Sequence, residues 1–426
     1  MNQEIAEEQQ RDWLWLTLIV CAGFALRAAA IVGFKHVPES DELVYTSMAL
    51  NLISGNGIVD VMGNHAMYNV GYPLFILSPV FFFFGEELLV ARLFNMLLGG
   101  VAIVLSYLVA KEAGAGRFGR LMAAAIWAAY LPASVFGVYL LKENLMTPVM
   151  LGVMWCALRL VRQPSKRVAV GCGALFGLLA LTGNAALSLI AVAALALVLS
   201  PAVISQRVTS AMLILAVAAV VSAPWMIRNM LVIGAPVLNT NGGFNLYLGN
   251  NPVATGMFVS ISETPRGSTW QDLRKTGEVQ ASETLKHEAI AWAKANPSDF
   301  LTLSLKKAVY FWTPPFHEGK GETSTTEKIV RVLWGIQFVF LVAAALSTLL
   351  IRKLRTKQLA LLWLAVSCYT AVHMLFYVIF RYREPIMPVL GVMAALAIES
   401  LLSSMSLLPN NSLQRTAQRA AAELGR

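Results

Sequence analysis

The chain has 426 residues, 57% of them hydrophobic and only 13% charged, with 33 Lys and Arg against 24 Asp and Glu for a formal net charge of +9. So few charges exclude an ordinary soluble enzyme. The basic residues fall in short clusters between apolar runs rather than along one stripe, which argues against a nucleic-acid partner.

Apolar runs recur from Trp13 to Leu402. Each approaches the roughly 20 residues that carry a helix across a hydrocarbon core about 30 Å thick. Because lipid offers the backbone no hydrogen-bond partners, such runs are expected to be helices. The expected spans are Trp13–Phe34, Glu87–Ala110, Leu121–Val138, Leu145–Val161, Val168–Leu181, Ala185–Ser200, Ser210–Met226, Ile329–Ile351, Leu359–Ile379 and Pro385–Leu402. The N-terminus is acidic (Glu4, Glu7, Glu8) and its first run is long enough to span, which reads as a retained signal anchor. Cys21, Cys156, Cys172 and Cys368 all lie inside apolar runs without a Cys-x-x-Cys pair, so neither a disulfide framework nor a zinc site is expected.

The short loops holding Lys111, Arg117 and Arg120, then Arg162, Lys166 and Arg167, then Arg207, then Arg352 to Lys357, all fall on one side if both termini are cytoplasmic. That is the arrangement the positive-inside rule prefers. The opposite side then receives a first loop, residues 35–86, and a long polar loop, residues 227–328, with the short turns Tyr139–Asn144 and Arg381–Glu384. Residues 1–402 form one transmembrane domain on this reading, and 403–426 a cytoplasmic tail.

Within the first loop, Ser40 reads as an N-cap, Asp41 and Glu42 as a first helical turn, and Gly55-Asn56-Gly57 as a stop. Val44, Met48 and Leu52 make one apolar stripe, giving a short helix at the membrane surface. Acids there suit the helix dipole without any further role. Their depth also suits Asp41 as a general base, taking a proton from an acceptor hydroxyl while a sugar leaves a phosphate. His65 follows in a loop with no second metal ligand at fixed spacing. Leu74–Phe84 is apolar but too short to span, and reads as an interfacial helix.

Arg27 and Arg92 lie towards the outer ends of their spans, and Arg228, Arg381 and Arg383 at outer boundaries. Any one of them is explained equally well by snorkelling to headgroups. Five guanidinium groups on the face of Asp41 suit a phosphate, which Arg grips in a fork. Lys142-Glu143 lies in the second outer turn, where Glu143 could assist substrate binding or hold a cation. In the long loop, Asn239–Gly256, with Asn245 and Tyr247, reads as turns whose amides suit sugar hydroxyls. Trp270–Ala295 reads as a solvated helix, and Phe300–Trp312 as an amphipathic one with Lys306 and Lys307 at the membrane surface. His373, inside the ninth span, reads as hydrogen-bonded packing.

Several stretches together resemble the GT-C glycosyltransferases, in their protein O-mannosyltransferase and aminoarabinose-transferase-like branch. They are Asp41-Glu42 with Tyr45 and Ala49, Gly71-Tyr72-Pro73-Leu74, Phe84-Gly85 with Arg92-Leu93 and Asn95, Pro224-Trp225-Met226-Ile227-Arg228-Asn229, Thr240 to Pro252, and Arg381-Tyr382-Arg383-Glu384-Pro385. The resemblance implies an all-α polytopic GT-C-like bundle of about ten transmembrane helices with extracytoplasmic juxtamembrane helices, in a bacterial inner membrane. It implies an inverting enzyme that moves a sugar from a polyprenyl-phosphate donor to a hydroxyl of a glycan, lipid or protein. Asp41 matches the family's catalytic aspartate and Glu42 the acid beside it, and Arg381 and Arg383 match its basic turn. Tyr45, Lys142, Glu143, His65, Asn245 and Tyr247 are the further substrate-binding candidates. No cofactor is required, though a divalent cation is allowed. The rival readings are a lipid or sugar transporter, which would need broken polar helices near mid-membrane, and a non-catalytic binder of lipid-linked sugar.

Overall fold

A computed structural model describes residues 2–314 and 325–407, with the side chains of residues 2–10 and 326 left undescribed. The expected tail beyond Leu407 therefore lies outside the described residues. The described chain is helical throughout, with one isolated bridge between Met257 and Val378.

Helix α1 (Asn2–Gly33) leads through a short extended stretch to α2 (Asp41–Ile53). A π-helical turn, Pro73–Leu77, runs into α3 (Ser78–Phe84). Then follow α4 (Leu88–Ala113), α5 (Arg117–Ala129), α6 (Leu131–Val135), α7 (Glu143–Arg162), α8 (Lys166–Thr182), α9 (Ile190–Leu199) and α10 (Ile204–Ile233). The segment after α10 carries α11 (Asn241–Gly249), α12 (Trp270–Lys275), α13 (Glu278–Ala295) and α14 (Pro297–Phe311), and the bundle closes with α15 (Thr325–Ser347), α16 (Lys357–His373) and α17 (Met387–Ser404).

All ten apolar runs are helical, but they are not ten equivalent spans. Among the described residues, six helices can cross a membrane by length and composition, or seven if the bent pair Arg117–Ala129 and Leu131–Val138, angled at 55°, counts as one. Val168–Leu181, Ala185–Ser200 and Leu359–Ile379 fall short. Helices α8 and α16 have 17 residues each, and Ala185–Ser200 opens as a 3₁₀ segment, Asn184–Leu189, before α9. The lipid-facing stripes stay exposed, as Leu215, Val220 and Leu231 do on α10, while α7 and α17 are buried at the centre.

The two ends of the bundle differ in charge. At one end Asp12 pairs with Arg117 and Arg120, and Glu112 with Arg159 and Arg162. From Asp12 to the end of α1 at Gly33, at about 1.5 Å per residue, the opposite end lies about 30 Å away. There α2, the α6–α7 connection, the segment between α10 and α15, and the 3₁₀ segment Phe380–Ile386 converge.

Three readings of the polar segments change. Asn241–Gly249, expected as turns, is α11; it packs so closely on α13 that a Cβ on Gly243 would meet the Ser282 carbonyl oxygen at 1.8 Å. The single helix expected over Trp270–Ala295 is divided at Gly277, whose φ of 100° favours glycine. On α14, Leu301, Leu305 and Val309 face outward as an amphipathic helix should, but only Lys306 of its two lysines does so. Lys307 is fully buried, and its ammonium donates to Asn250 Oδ1 at 2.9 Å.

Burial holds Lys307 down at about 8, well below the ordinary lysine value. Between that value and about 10.5 the unfolded chain holds the proton and the folded chain does not, so stability rises with pH across this window. Lys307→Met is expected to remove that rise, by roughly 3 kcal/mol in full. Thermal unfolding midpoints from pH 7 to pH 10 check it; parallel curves for both proteins would refute the assignment.

Candidate active site

Helix α2 starts at Asp41 because the chain turns sharply at Ser40, which sits at φ 50° and ψ −118° and caps nothing with its side chain. A non-glycine residue with positive φ is strained and persists only where neighbours hold it. Glu42 does the holding. Its buried carboxylate accepts from the backbone N–H of Glu39 at 3.3 Å and of Leu140 at 2.7 Å, and contacts His36 Nε2. It therefore pins the start of α2 to the α6–α7 connection, leaving Asp41 pointing the other way. Glu42→Ala strands these donors and is expected to cost about 3 kcal/mol. A lower unfolding midpoint with new proteolytic cuts between residues 36 and 72 is the expected readout.

Asp41 meets Arg381, whose guanidinium contacts Asp41 Oδ2. The Nε of Arg381 lies 3.8 Å from Glu143 Oε1, so one cation stands between two carboxylates. Asp41 and Arg381 retain 24% and 21% side-chain exposure, which leaves them open to a ligand, whereas Glu143 retains 8%. Tyr45 packs edge-on against Tyr68 and Tyr72, with ring centroids at 6.2 and 6.0 Å. Burial, then the charges of Asp41 and Glu143, raise the Tyr45 phenol well above its ordinary value, so it stays protonated.

Of the five arginines expected around a phosphate, Arg381 alone pairs with Asp41. Arg27 donates to the carbonyls of Gly23 and Ala128 at 3.1 and 3.4 Å, and Arg92 to those of Val138 and His36 at 3.0 and 2.6 Å. Arg228 donates to His65 and Ile58, each at 2.9 Å, and stacks on Trp225. Arg383 is fully buried, donating to Phe311 and Thr313 and lying 4.0 Å from the Phe338 ring centre. These four guanidiniums bond main-chain carbonyls, several of them at helix ends where carbonyls lack intrahelical partners. His65 acts through its backbone, donating to Glu278 Oε1 at 2.9 Å, and Tyr247 is buried between α11 and α13.

Next to Glu143 opens a cavity of about 160 Å³. Lys142, Glu143 and Asn245 line it, together with Asn69, Asn184, Asn239 and Asn241. Tyr369, His373, Phe376, Tyr377 and Tyr382 form its aromatic wall. Burial lowers the Lys142 ammonium against the opposing pull of Glu143, and the ammonium donates to Asn69 Oδ1 at 3.4 Å. Asn69 in turn donates to Asn184 Oδ1 at 3.0 Å, and the Tyr377 hydroxyl to Asn245 Oδ1 at 3.5 Å. The Thr182-Gly183-Asn184 break delivers Asn184 to this wall, because the 3₁₀ segment there ends the regular run of α8. His373, hydrogen-bonded to the Tyr369 carbonyl, both packs and lines the cavity. Behind Glu143 a smaller cavity of about 30 Å³ is lined by Arg27, Asn95 and Glu384. Neither Glu384 oxygen has a hydrogen-bond partner among the described residues. That volume has room for a water or two.

Asp41 and Glu143 are already bridged by Arg381, and no group of three or more His, Cys, Asp or Glu among the described residues could hold a metal ion.

No protein-family model and no curated protein sequence matches the chain. Solved structures do. The oligosaccharyltransferase AglB from Archaeoglobus fulgidus, in complex with an inhibitory peptide and a dolichol-phosphate, superposes with a TM-score of 0.57 at 16% identity over 97% of this chain. Its complex with Zn and sulfate gives 0.55 at 16% over 92%. ArnT from Cupriavidus metallidurans in the apo state gives 0.48 at 13% over 90%. The chain spans 52% of the length of the first of these and 59% of ArnT. The fold that places Asp41, Glu143 and Arg381 together is the one this chain shares with the oligosaccharyltransferase AglB.

Proposed function

We propose that the protein is an inverting glycosyltransferase that moves a sugar from a polyprenyl phosphate to an acceptor hydroxyl. The observation that carries this reading is the Asp41–Arg381–Glu143 cluster, whose Glu143 also lines an amide-lined cavity. The acceptor oxygen attacks the anomeric carbon while the bond from that carbon to the phosphate oxygen breaks. The bonding pair leaves with the phosphate, and the hydroxyl proton passes to Asp41. Arg381 stabilises the charge gathering on the departing phosphate. Glu143 and Glu42 position this pair, one by flanking the guanidinium and the other by fixing the start of α2. The solved oligosaccharyltransferase whose fold this chain shares was captured with a dolichol-phosphate, which supports a lipid phosphate as ligand. That protein was also captured with Zn and sulfate, which is compatible with a divalent cation here.

The basic clusters at the far end of the bundle support an active site facing the exterior of a bacterial inner membrane. The acceptor is a glycan, lipid or protein in that space. Purified protein incubated with polyprenyl phosphates carrying radiolabelled sugars is expected to release free polyprenyl phosphate when extracts containing the acceptor are added. Vesicles in which labelled donor crosses the bilayer intact would instead identify a transporter, and binding without release a non-catalytic binder.

A further inference from the structure

We propose that the small cavity behind Glu143 holds water through which Glu384, carrying a proton, orders the Glu143 carboxylate, so that Glu384 is a positioning residue for the reaction. This rests on the reading above, in which Glu143 flanks the Arg381 guanidinium.

The cavity lies between Arg27 of α1, Trp127 of α5, Glu143 of α7 and Glu384. Glu143 Oε2, both oxygens of Glu384, Arg27 Nε and Trp127 Nε1 are buried there without a hydrogen-bond partner among the described residues. Arg27, Glu143 and Glu384 are at most 7% exposed, so bulk water does not reach these atoms. Orphaned groups of this kind are met by an internal water or by protonation. A water needs roughly 10–15 Å³ of such space and two to four polar partners, so about 30 Å³ takes one or two.

Two carboxylates that share one confined site do not both stay ionised. Glu143 has a cation at hand, with Arg381 Nε 3.8 Å from its Oε1. Glu384 has none in contact: its neighbour Arg383 donates to the carbonyls of Phe311 and Thr313, and Arg27 gives its NH1 to those of Gly23 and Ala128. Tyr130, between α5 and α6, also feels the Glu384 charge, but a phenol brings it no cation. The helices packed on this segment add none either. Lys307 of α14 and His373 of α16 are held by Asn250 and the Tyr369 carbonyl, and Glu399 of α17 serves the backbone of Gly116 and Gly119. The proton therefore rests on Glu384. A water that accepts from its O–H and donates to Glu143 Oε2 leaves Glu143 Oε1 facing Arg381. Arg381 and Glu384 belong to one 3₁₀ segment, so that segment meets both oxygens of Glu143, one directly and one through water.

Infrared spectra of the full-length protein in lipid nanodiscs, compared between light and heavy water, test the shared proton without any substrate. At neutral pH the wild type is expected to show a protonated-carboxyl C=O band that Glu384→Gln removes and Glu143→Gln shifts, because the bridging water then loses its charged acceptor. No band lost in Glu384→Gln would mean an ionised Glu384, and a band that Glu143→Gln leaves in place would mean two independent carboxyls. Either result overturns the proposal, whether or not other variants fold. Turnover reads the positioning role. Glu384→Met is expected to lower kcat about tenfold or more, the worth of one hydrogen bond to a charged group, with KM for the donor little changed. Glu384→Gln keeps an N–H donor and should regain most of that loss. Wild-type kcat in folded Glu384→Met would make the water structural only and overturn the positioning role. Wild-type protein that shows the bands yet transfers no sugar would overturn the reaction assigned above and uphold the shared proton.

Discussion

Asp41→Asn is expected to lower sugar transfer by about 10²- to 10⁴-fold, the range that a positioned general base contributes, while donor binding persists. The substitution keeps the shape of the side chain and one oxygen for the Arg381 guanidinium, so the start of α2 need not move. What it removes is the basic site that takes the acceptor proton. The fold should survive because the clamp that fixes this turn belongs to Glu42, through Leu140 and Glu39, and not to Asp41. The readout is turnover of labelled donor at saturating acceptor beside the affinity for unreactive polyprenyl phosphate. Turnover equal to wild type would place the base elsewhere, with Glu143 the next carboxylate to examine.

Asp41 and Arg381 lie 340 positions apart in the chain and still declared themselves in the sequence. Each sits at the same end of the bundle once the apolar runs are laid out, and an acid and a base confined to one thin layer have few places to be. The same logic failed for Arg27, Arg92, Arg228 and Arg383. In sequence they are indistinguishable from Arg381: cations near the outer ends of apolar runs. What separates them is tertiary, namely whether a helix end with unsatisfied carbonyls lies within reach, as the end of α5 does for Arg27 and that of α14 for Arg383. The cavity asparagines were harder still. Asn and Gly in a row signal turns through their own local hydrogen bonding, yet the Asn241–Gly249 run is helical. Two of its three glycines, Gly242 and Gly243, open the run and weaken helix propensity, but Gly243 is what allows α11 to approach Ser282 on α13. Packing overrode propensity there. Lys307 shows the converse, an exposed-looking lysine drawn inside because Asn250 could receive it.

Arg381→Ala is expected to lower transfer by about 10²- to 10³-fold, as loss of one preorganised group at developing charge does elsewhere, and to weaken binding of polyprenyl phosphate as well. Two consequences follow from its position between Asp41 and Glu143. Removing the cation leaves two carboxylates facing one another across the same gap, so the folded protein should also lose stability, and a second change, Glu143→Gln, should return that stability without returning activity. Arg381→Lys separates charge from geometry: the ammonium still neutralises the two acids, but it cannot grip two phosphate oxygens in a fork. It should fold as wild type does and remain slow. Arg383→Lys is the control, because that guanidinium serves the carbonyls of Phe311 and Thr313 inside the bundle. Its expected effect is on the unfolding midpoint, with donor affinity in the surviving folded protein close to wild type. If instead Arg383→Lys weakened donor binding as much as Arg381→Lys, the phosphate would have to sit deeper than the mouth of the cavity, and Asp41 would be too far out to reach the sugar it is meant to serve.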